Sequence, residues 1–154
     1  MKSRKLLLGM LVLVLAFGMT VVGCDDGSTD GNTDPHKVTI TGLAGKTGTV
    51  SVLLYSYLDI NATGVAAGGQ GIISGNSVTV SLQQIGGGWW SGSGPHHILL
   101  QLPDETAYVY TNAQTLEQLG ITTDEDLFTR IPKYNITGTA TTIAFDRFLD
   151  VTGF

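Results

Sequence analysis

Two tryptophans and two histidines lie close together in residues 86–97 (GGGWWSGSGPHH), a segment that also contains five glycines. Adjacent indoles can stack on a sugar ring or grip a peptide. Adjacent imidazoles can bind a metal ion or act as a catalytic base. The segment could therefore support three kinds of chemistry, namely ligand binding, metal coordination and hydrolysis. The candidate residues are Trp89, Trp90, His96 and His97.

The two histidines do not have the spacing of a metal site. Successive residues of a strand point to opposite faces, so His96 and His97 do not reach one ion if a strand begins there. The remaining histidine, His36, is distant in the sequence. The sequence therefore predicts no metal and no cofactor.

A hydrolase would pair His96 or His97 with Ser91 or Ser93. Neither serine lies in the Gly-x-Ser-x-Gly motif that exposes a nucleophile, and serines among glycines are typical of turns. We therefore predict that the protein is not an enzyme. The alternative is a hydrolase-like envelope enzyme, or an enzyme accessory, with a site near His96 and His97.

Trp89 and Trp90 remain as the candidates for ligand contact. In a glycine-rich loop, one indole can face outward and bind a glycan or a protein. The competing interpretation is that one indole plugs an open end of the fold while its neighbour lies on the surface. Further amphipathic contacts are expected from the tyrosines at positions 55, 57, 108 and 110, if their faces are exposed.

The N-terminus has the composition of a secretory signal peptide, because a basic start precedes an uncharged apolar run over residues 6–22. Residues 21–24 (VVGC) resemble the lipobox of bacterial lipoproteins. The resemblance implies transfer of diacylglycerol to the sulfur of Cys24, cleavage after Gly23 and acylation of the new N-terminus. It also implies localisation to the bacterial cell envelope, anchored to a membrane at the cell surface or on a periplasmic face. The alternative for the run is a transmembrane helix, which needs about 20 residues.

These observations divide the chain into a cleaved signal peptide (1–23), a lipidated flexible tether (24–36) and one domain (37–154). Residues 25–35 contain no large apolar residue, as expected of a spacer. All 13 acidic residues follow Gly23 and five basic residues remain there, so cleavage changes the formal charge from −5 to 5 − 13 = −8. That charge disfavours nucleic acid as a partner. Cys24 is the only cysteine, so no disulfide forms within the chain.

Alternation of apolar and polar residues predicts a series of short strands in the domain. The predicted strands are residues 38–41, 49–58, 77–82, 97–102, 106–111 and 141–149, with an end or a bulge near Asp146. Residues 49–58 are apolar on both faces, which indicates a central strand covered on both sides. Residues 64–71 are too rich in glycine and alanine to predict a strand, and residues 72–73 form at most a short edge piece.

Two further stretches are helical in character. Residues 113–119 predict a short helix that ends at Gly120. Thr122 and Glu125 have the spacing of a capping box, which predicts the start of a second helix. The whole pattern predicts an all-β antiparallel β-sandwich, immunoglobulin- or transthyretin-like, with one short helical insertion. A small β-barrel is the alternative.

Several segments resemble small lipoproteins of spirochaetes such as treponemes. They are the lipobox with its acidic tether, residues 40–43 (ITGL), 89–94 (WWSGSG), 108–127 (YVYTNAQTLEQLGITTDEDL) and 132–148 (PKYNITGTATTIAFDRF). The resemblance implies a membrane-tethered β-domain for binding or envelope architecture. It brings no catalytic residue. The expected partners are the membrane, through the anchor at Cys24, and a glycan or protein ligand.

Overall fold

The computed structural model describes residues 36–56, 64–85 and 93–152, without the side chains of Asp124 and Phe128. The signal peptide, most of the tether, Cys24, Trp89 and Trp90 lie outside the described residues. The described residues form ten strands: β1 Lys37–Thr41, β2 Thr49–Tyr55, β3 Val65–Ile72, β4 Ser77–Ser81, β5 Gln83–Gln84, β6 Gly94–Gln101, β7 Ala107–Tyr110, β8 Tyr134–Ile136, β9 Ala140–Ala144 and β10 Phe148–Asp150.

These strands form two facing sheets. The small sheet has the order β4-β1-β9, and the large sheet has the order β10-β7-β6-β2-β3-β5, with β8 paired to β6. The fold is the predicted all-β sandwich. Among the described residues no ladder joins the small sheet to the large one, so the two sheets do not close into the alternative barrel.

One pairing departs from the predicted antiparallel arrangement. β1 is antiparallel to β4 but parallel to β9, with Ile40 opposite Ile143. A parallel pair is possible here because β1 and β9 are far apart in the chain and no hairpin constrains their direction. Every ladder of the large sheet is antiparallel.

Strand β2 lies in the middle of the large sheet and is buried on both faces, as predicted. Val52 and Leu54 point into the core between the sheets, whereas Leu53 and Tyr55 point to the opposite face. That opposite face is covered by the helix α1, Asp124–Arg130, through Leu127 and by Ile131 beyond it. The large sheet is therefore the middle of three layers, with the small sheet on one side and the helical segment on the other.

Residues 65–71 of the glycine-rich stretch 64–71, for which no strand was predicted, belong to β3, and Ile72, predicted as at most a short edge piece, is the last residue of the same strand. The prediction was wrong because the glycines have a packing role. A Cβ at Gly69 would clash with the carbonyl oxygen of Ser81, and one at Gly71 would lie 2.6 Å from that of Thr79. Strand β3 of the large sheet thus lies directly against the backbone of β4 in the small sheet, which only glycine permits.

The helical predictions need two corrections. Only Glu117–Leu119 of residues 113–119 forms a 3₁₀ turn, which ends at Gly120 in the left-handed conformation, as expected. Helix α1 is capped by Thr123 and not by Thr122, because the hydroxyl oxygen of Thr123 accepts a hydrogen bond from the Asp126 N–H, while the Asp126 carboxylate accepts one from the Thr122 N–H. Because Thr122 and Thr123 are adjacent, the sequence allows either residue to be the N-cap. The hydrogen bond from the Asp126 N–H to the Thr123 hydroxyl oxygen decides between them.

The predicted strand over residues 141–149 is interrupted near Asp146, as expected. Strand β9 leads into a 3₁₀ turn, Phe145–Arg147, and β10 follows in the other sheet. A second crossing between the sheets occurs at Leu82, between β4 and β5. No helix within the described ranges is long and apolar enough to cross a membrane.

We expect Gly69→Ala to lower the free energy of unfolding by about 1–3 kcal/mol, because β3 and β4 must move apart to admit the methyl group. Gly68→Ala is the matched control, since the two atoms nearest to its Cβ are the ends of the Ile85 and Leu53 side chains, which can move more cheaply than backbone, and the Val52 carbonyl oxygen lies farther away at 3.0 Å. Urea unfolding of both variants measures the difference. Equal losses would show that the approach of β3 to β4 is not the reason for the glycine.

Candidate functional site

Both histidines of the 86–97 segment lie in β6 and are buried. His96 is opposite Tyr134 of β8, and His97 is opposite Tyr55 of β2. Their exposed fractions are 8% and 5%. As predicted, consecutive positions place them on opposite faces of the sheet. His96 donates from Nδ1 to the carbonyl oxygen of Gly94 at 3.1 Å.

The surroundings of His97 favour its neutral form. Its pKa is lowered from 6.5 to about 4, chiefly by burial and then by the positive charge of Lys133, while a hydrogen bond to the Pro132 backbone opposes both effects. Its Nδ1 has no hydrogen-bond partner among the described residues. Burial also lowers the pKa of His96, with a smaller contribution from Lys133. Both rings are therefore held uncharged beside a cation.

This arrangement does not resemble a catalytic or metal-binding centre. The charged side chain that acts on both imidazoles is a lysine, whereas a catalytic histidine is usually oriented by a carboxylate. Within the described part of the chain, no group of three or more His, Cys, Asp or Glu side chains is placed to hold a metal ion.

His36, which the sequence analysis assigned to the tether, is a structural residue. Its ring is buried, with Nδ1 2.8 Å from the carbonyl oxygen of Gly138 and Nε2 2.9 Å from the hydroxyl of Thr141. The backbone carbonyl of His36 also accepts a hydrogen bond from Leu82. His36 therefore fastens the start of β1 to the beginning of β9.

The tyrosines expected to assist ligand binding have different positions. Tyr55 is buried under the helical layer and is not available to a ligand. Tyr108 and Tyr110 are half-buried on the inner face of β7. Tyr57, like Trp89 and Trp90, lies outside the described residues.

Tyr108 and Tyr110 belong to a chain of aromatic rings that we call the aromatic ridge, which comprises Tyr108, Tyr110, Tyr134, Phe145 and Phe148. The Tyr108 and Phe145 centroids are 5.0 Å apart, and those of Tyr110 and Tyr134 are 4.9 Å apart, both edge to face. Phe148 is 6.0 Å from Tyr110 and 6.4 Å from Phe145, so it joins the two pairs. Except for Phe148, every ring of the ridge is partly exposed.

The ridge exists because the small sheet does not cover the whole large sheet. Strand β4 lies against β3, which places β1 and β9 over the middle of the large sheet. Inner residues of β2 and β6, such as Val52 and Ile98, are fully buried. The inner residues of β7 are only half-buried, so the aromatic rings occupy the part of the large sheet that lies beyond β9.

The ridge presents groups that can contact a ligand. Its rings present apolar faces, and its tyrosines add hydroxyl groups that can donate to or accept from a ligand. The ammonium group of Lys46 lies 5.4 Å from the centroid of Phe145 and covers one face of that ring. Sequence reasoning named Tyr108 and Tyr110 but missed Tyr134, Phe145 and Phe148. Their spacing in the sequence carries no signal that three separate elements meet.

The buried His97 predicts a pH dependence of stability. Because its pKa is about 4 in the folded state and 6.5 ordinarily, the unfolded chain binds more protons between these pH values. The stability is therefore fully present above pH 6.5 and is lost as the pH falls toward 4. We expect a loss of about 1–2 kcal/mol from this residue, since partial access of water weakens the full effect.

Urea unfolding at several pH values measures this loss, and His97→Gln should flatten the curve between pH 4 and 6.5 relative to the wild type. Thr79→Ala, at an exposed position of β4 and without a titratable group, is the control and should leave the slope in that range unchanged. An unaltered slope in His97→Gln would contradict the prediction.

Comparison with known proteins adds no relative. No protein-family model matches the chain, and neither the curated proteins nor the solved structures contain a significant match. The function is therefore inferred from the sequence segments quoted above and from the geometry of the aromatic ridge.

Proposed function

We propose that the protein is a bacterial lipoprotein of the cell envelope, anchored to a membrane through Cys24, and that its β-domain serves binding or envelope architecture without catalysis. The proposed membrane anchor rests on one observation. The single cysteine directly follows the apolar run and ends a lipobox-like sequence, residues 21–24. Acyl chains on one residue give stable anchoring because each buried methylene contributes about 0.8 kcal/mol.

The aromatic ridge supports a binding role for the domain. Partly exposed tyrosines and phenylalanines are enriched where proteins contact ligands and partners. A flexible tether after Cys24 would allow the domain to reach such a ligand away from the membrane. The expected ligand is a glycan or a protein, and Trp89 and Trp90 are proposed as further contacts.

The alternative of an envelope enzyme near His96 and His97 has less support. Both rings are buried, and their pKa values are lowered by burial and by Lys133. An imidazole that acts as a base needs access to its substrate and a group that orients it. The surroundings of these histidines favour a binding domain over a catalytic one.

Cys24→Ala tests the anchor. We expect the variant to remain an uncleaved precursor without fatty acid, because the acceptor sulfur is lost. Gly23→Ala is the matched control, since it keeps a small residue before Cys24, and it should be acylated and processed. Metabolic labelling with a fatty-acid analogue and the electrophoretic mobility of the chain measure both outcomes. An acylated and processed Cys24→Ala product would overturn the lipoprotein proposal.

Protease treatment of intact cells tests the location of the domain. A screen of glycans and host proteins with the full chain tests binding. Cleavage of the domain on intact cells is expected if the anchor lies in the outer leaflet. Retention of a glycan or a protein by the full chain would support the binding role. Turnover of a screened compound at a rate that depends on His96 or His97 would favour the enzyme instead.

A further inference from the structure

Strand β9 has an open edge. Among the described residues it pairs with β1 on one side, and no strand is paired to its other side. Exposed edges are usually protected by charged residues, proline or a bulge. The residues of β9, Ala140–Ala144 (ATTIA), contain none of these protections. As far as the described residues define it, the edge is open to a further strand.

The space beside β9 lies above the aromatic ridge. The small sheet ends at β9, whereas the large sheet continues with β7 and β10. The rings that face this space, Tyr108, Tyr110 and Phe145, are only half-buried. A further strand next to β9 would cover them with its inward side chains, because alternate residues of a strand point to one face.

We propose that β9 accepts an extended polypeptide segment from another protein, which joins the small sheet as its next strand and packs alternate apolar side chains on the aromatic ridge. This inference rests on the binding role proposed above and names the ligand class. Backbone hydrogen bonds to β9 would supply part of the affinity, and the ridge would select for alternating apolar residues.

A second copy of the chain does not fit this edge. Antiparallel pairing of two β9 strands about a two-fold axis leaves both large sheets on the same side of the joined small sheets. Each large sheet extends beyond β9 by β7 and β10, about 10 Å at the usual spacing of strands. The two extensions would occupy the same space, whereas a single strand needs only part of that width.

The tether of the chain itself is also a poor occupant. Residues 25–35 contain no large apolar side chain and four aspartates. Such a segment cannot cover the rings of the ridge with apolar groups. The formal charge of the chain, −5, attracts a segment with basic residues at its ends over long distances, while Lys46 beside Phe145 disfavours a basic residue in the part that contacts the ridge.

The test uses the full-length chain and a short peptide of alternating threonine and valine, flanked by lysines. Two further peptides carry N-methyl groups on alternate residues, one on the threonines and the other on the valines. The N–H groups of alternate residues point to opposite edges of a strand, so each N-methylated peptide loses the N–H donors of one edge only. One of the two peptides therefore keeps the donors that face β9. Binding is measured by titration, and hydrogen exchange locates the protected amides.

We expect the parent peptide to bind and to slow exchange in β9. One N-methylated peptide should retain this affinity, and the other should bind at least about tenfold more weakly, since several backbone hydrogen bonds are lost. Tyr108→Ser should also weaken binding, whereas Thr79→Ala, on the exposed face of β4, should leave it unchanged. Thermal unfolding checks that both variants are folded. If Tyr108→Ser does not fold, the pair of N-methylated peptides still tests the proposal with the wild-type protein.

The inference is overturned if no peptide binds, if both N-methylated peptides bind equally, or if protection appears at another edge. Protection of β9 that depends on protein concentration in the absence of peptide would identify a second copy as the occupant and overturn it as well. Retention of a glycan or a protein without any change in β9 would leave the binding role intact and refute only this site.

Discussion

The close approach of β3 and β4 determines how the two sheets face each other. Gly69 and Gly71 allow the backbone of one sheet to lie against that of the other, a contact that any side chain at these positions would prevent. Because this contact holds the small sheet at the β3 side, the three strands of the small sheet end before the large sheet does. The aromatic ridge and the open edge of β9 both follow from this offset.

The three histidines, which the sequence offers as candidate chemical groups, are buried in the folded domain. His36 joins β1 to the start of β9 by two hydrogen bonds of its ring. His96 and His97 lie on opposite faces of one strand, and the neutral state of His97 is maintained by burial beside Lys133. A histidine that is kept uncharged in this way contributes to packing at neutral pH and opposes folding in acid.

The proposed functions assign separate tasks to separate parts of the chain. The anchor at Cys24 would provide membrane attachment, and the tether would provide reach. The domain would provide a surface at which aromatic side chains and an unpaired strand edge lie side by side.

The sequence by itself determined the all-β class, the central position of β2, the interruption near Asp146 and the opposite orientations of His96 and His97, because these depend on local alternation of residue types. It did not predict β3, since a glycine-rich strand has no pattern of its own and is stabilised only by its contact with β4. Only the tertiary structure brought Tyr134 and Phe145 to Tyr110 and Tyr108, because β7, β8 and the 3₁₀ turn after β9 meet through long-range pairing that the spacing of these residues does not encode. The offset between the sheets, and with it the candidate site, was likewise decided by packing between distant segments.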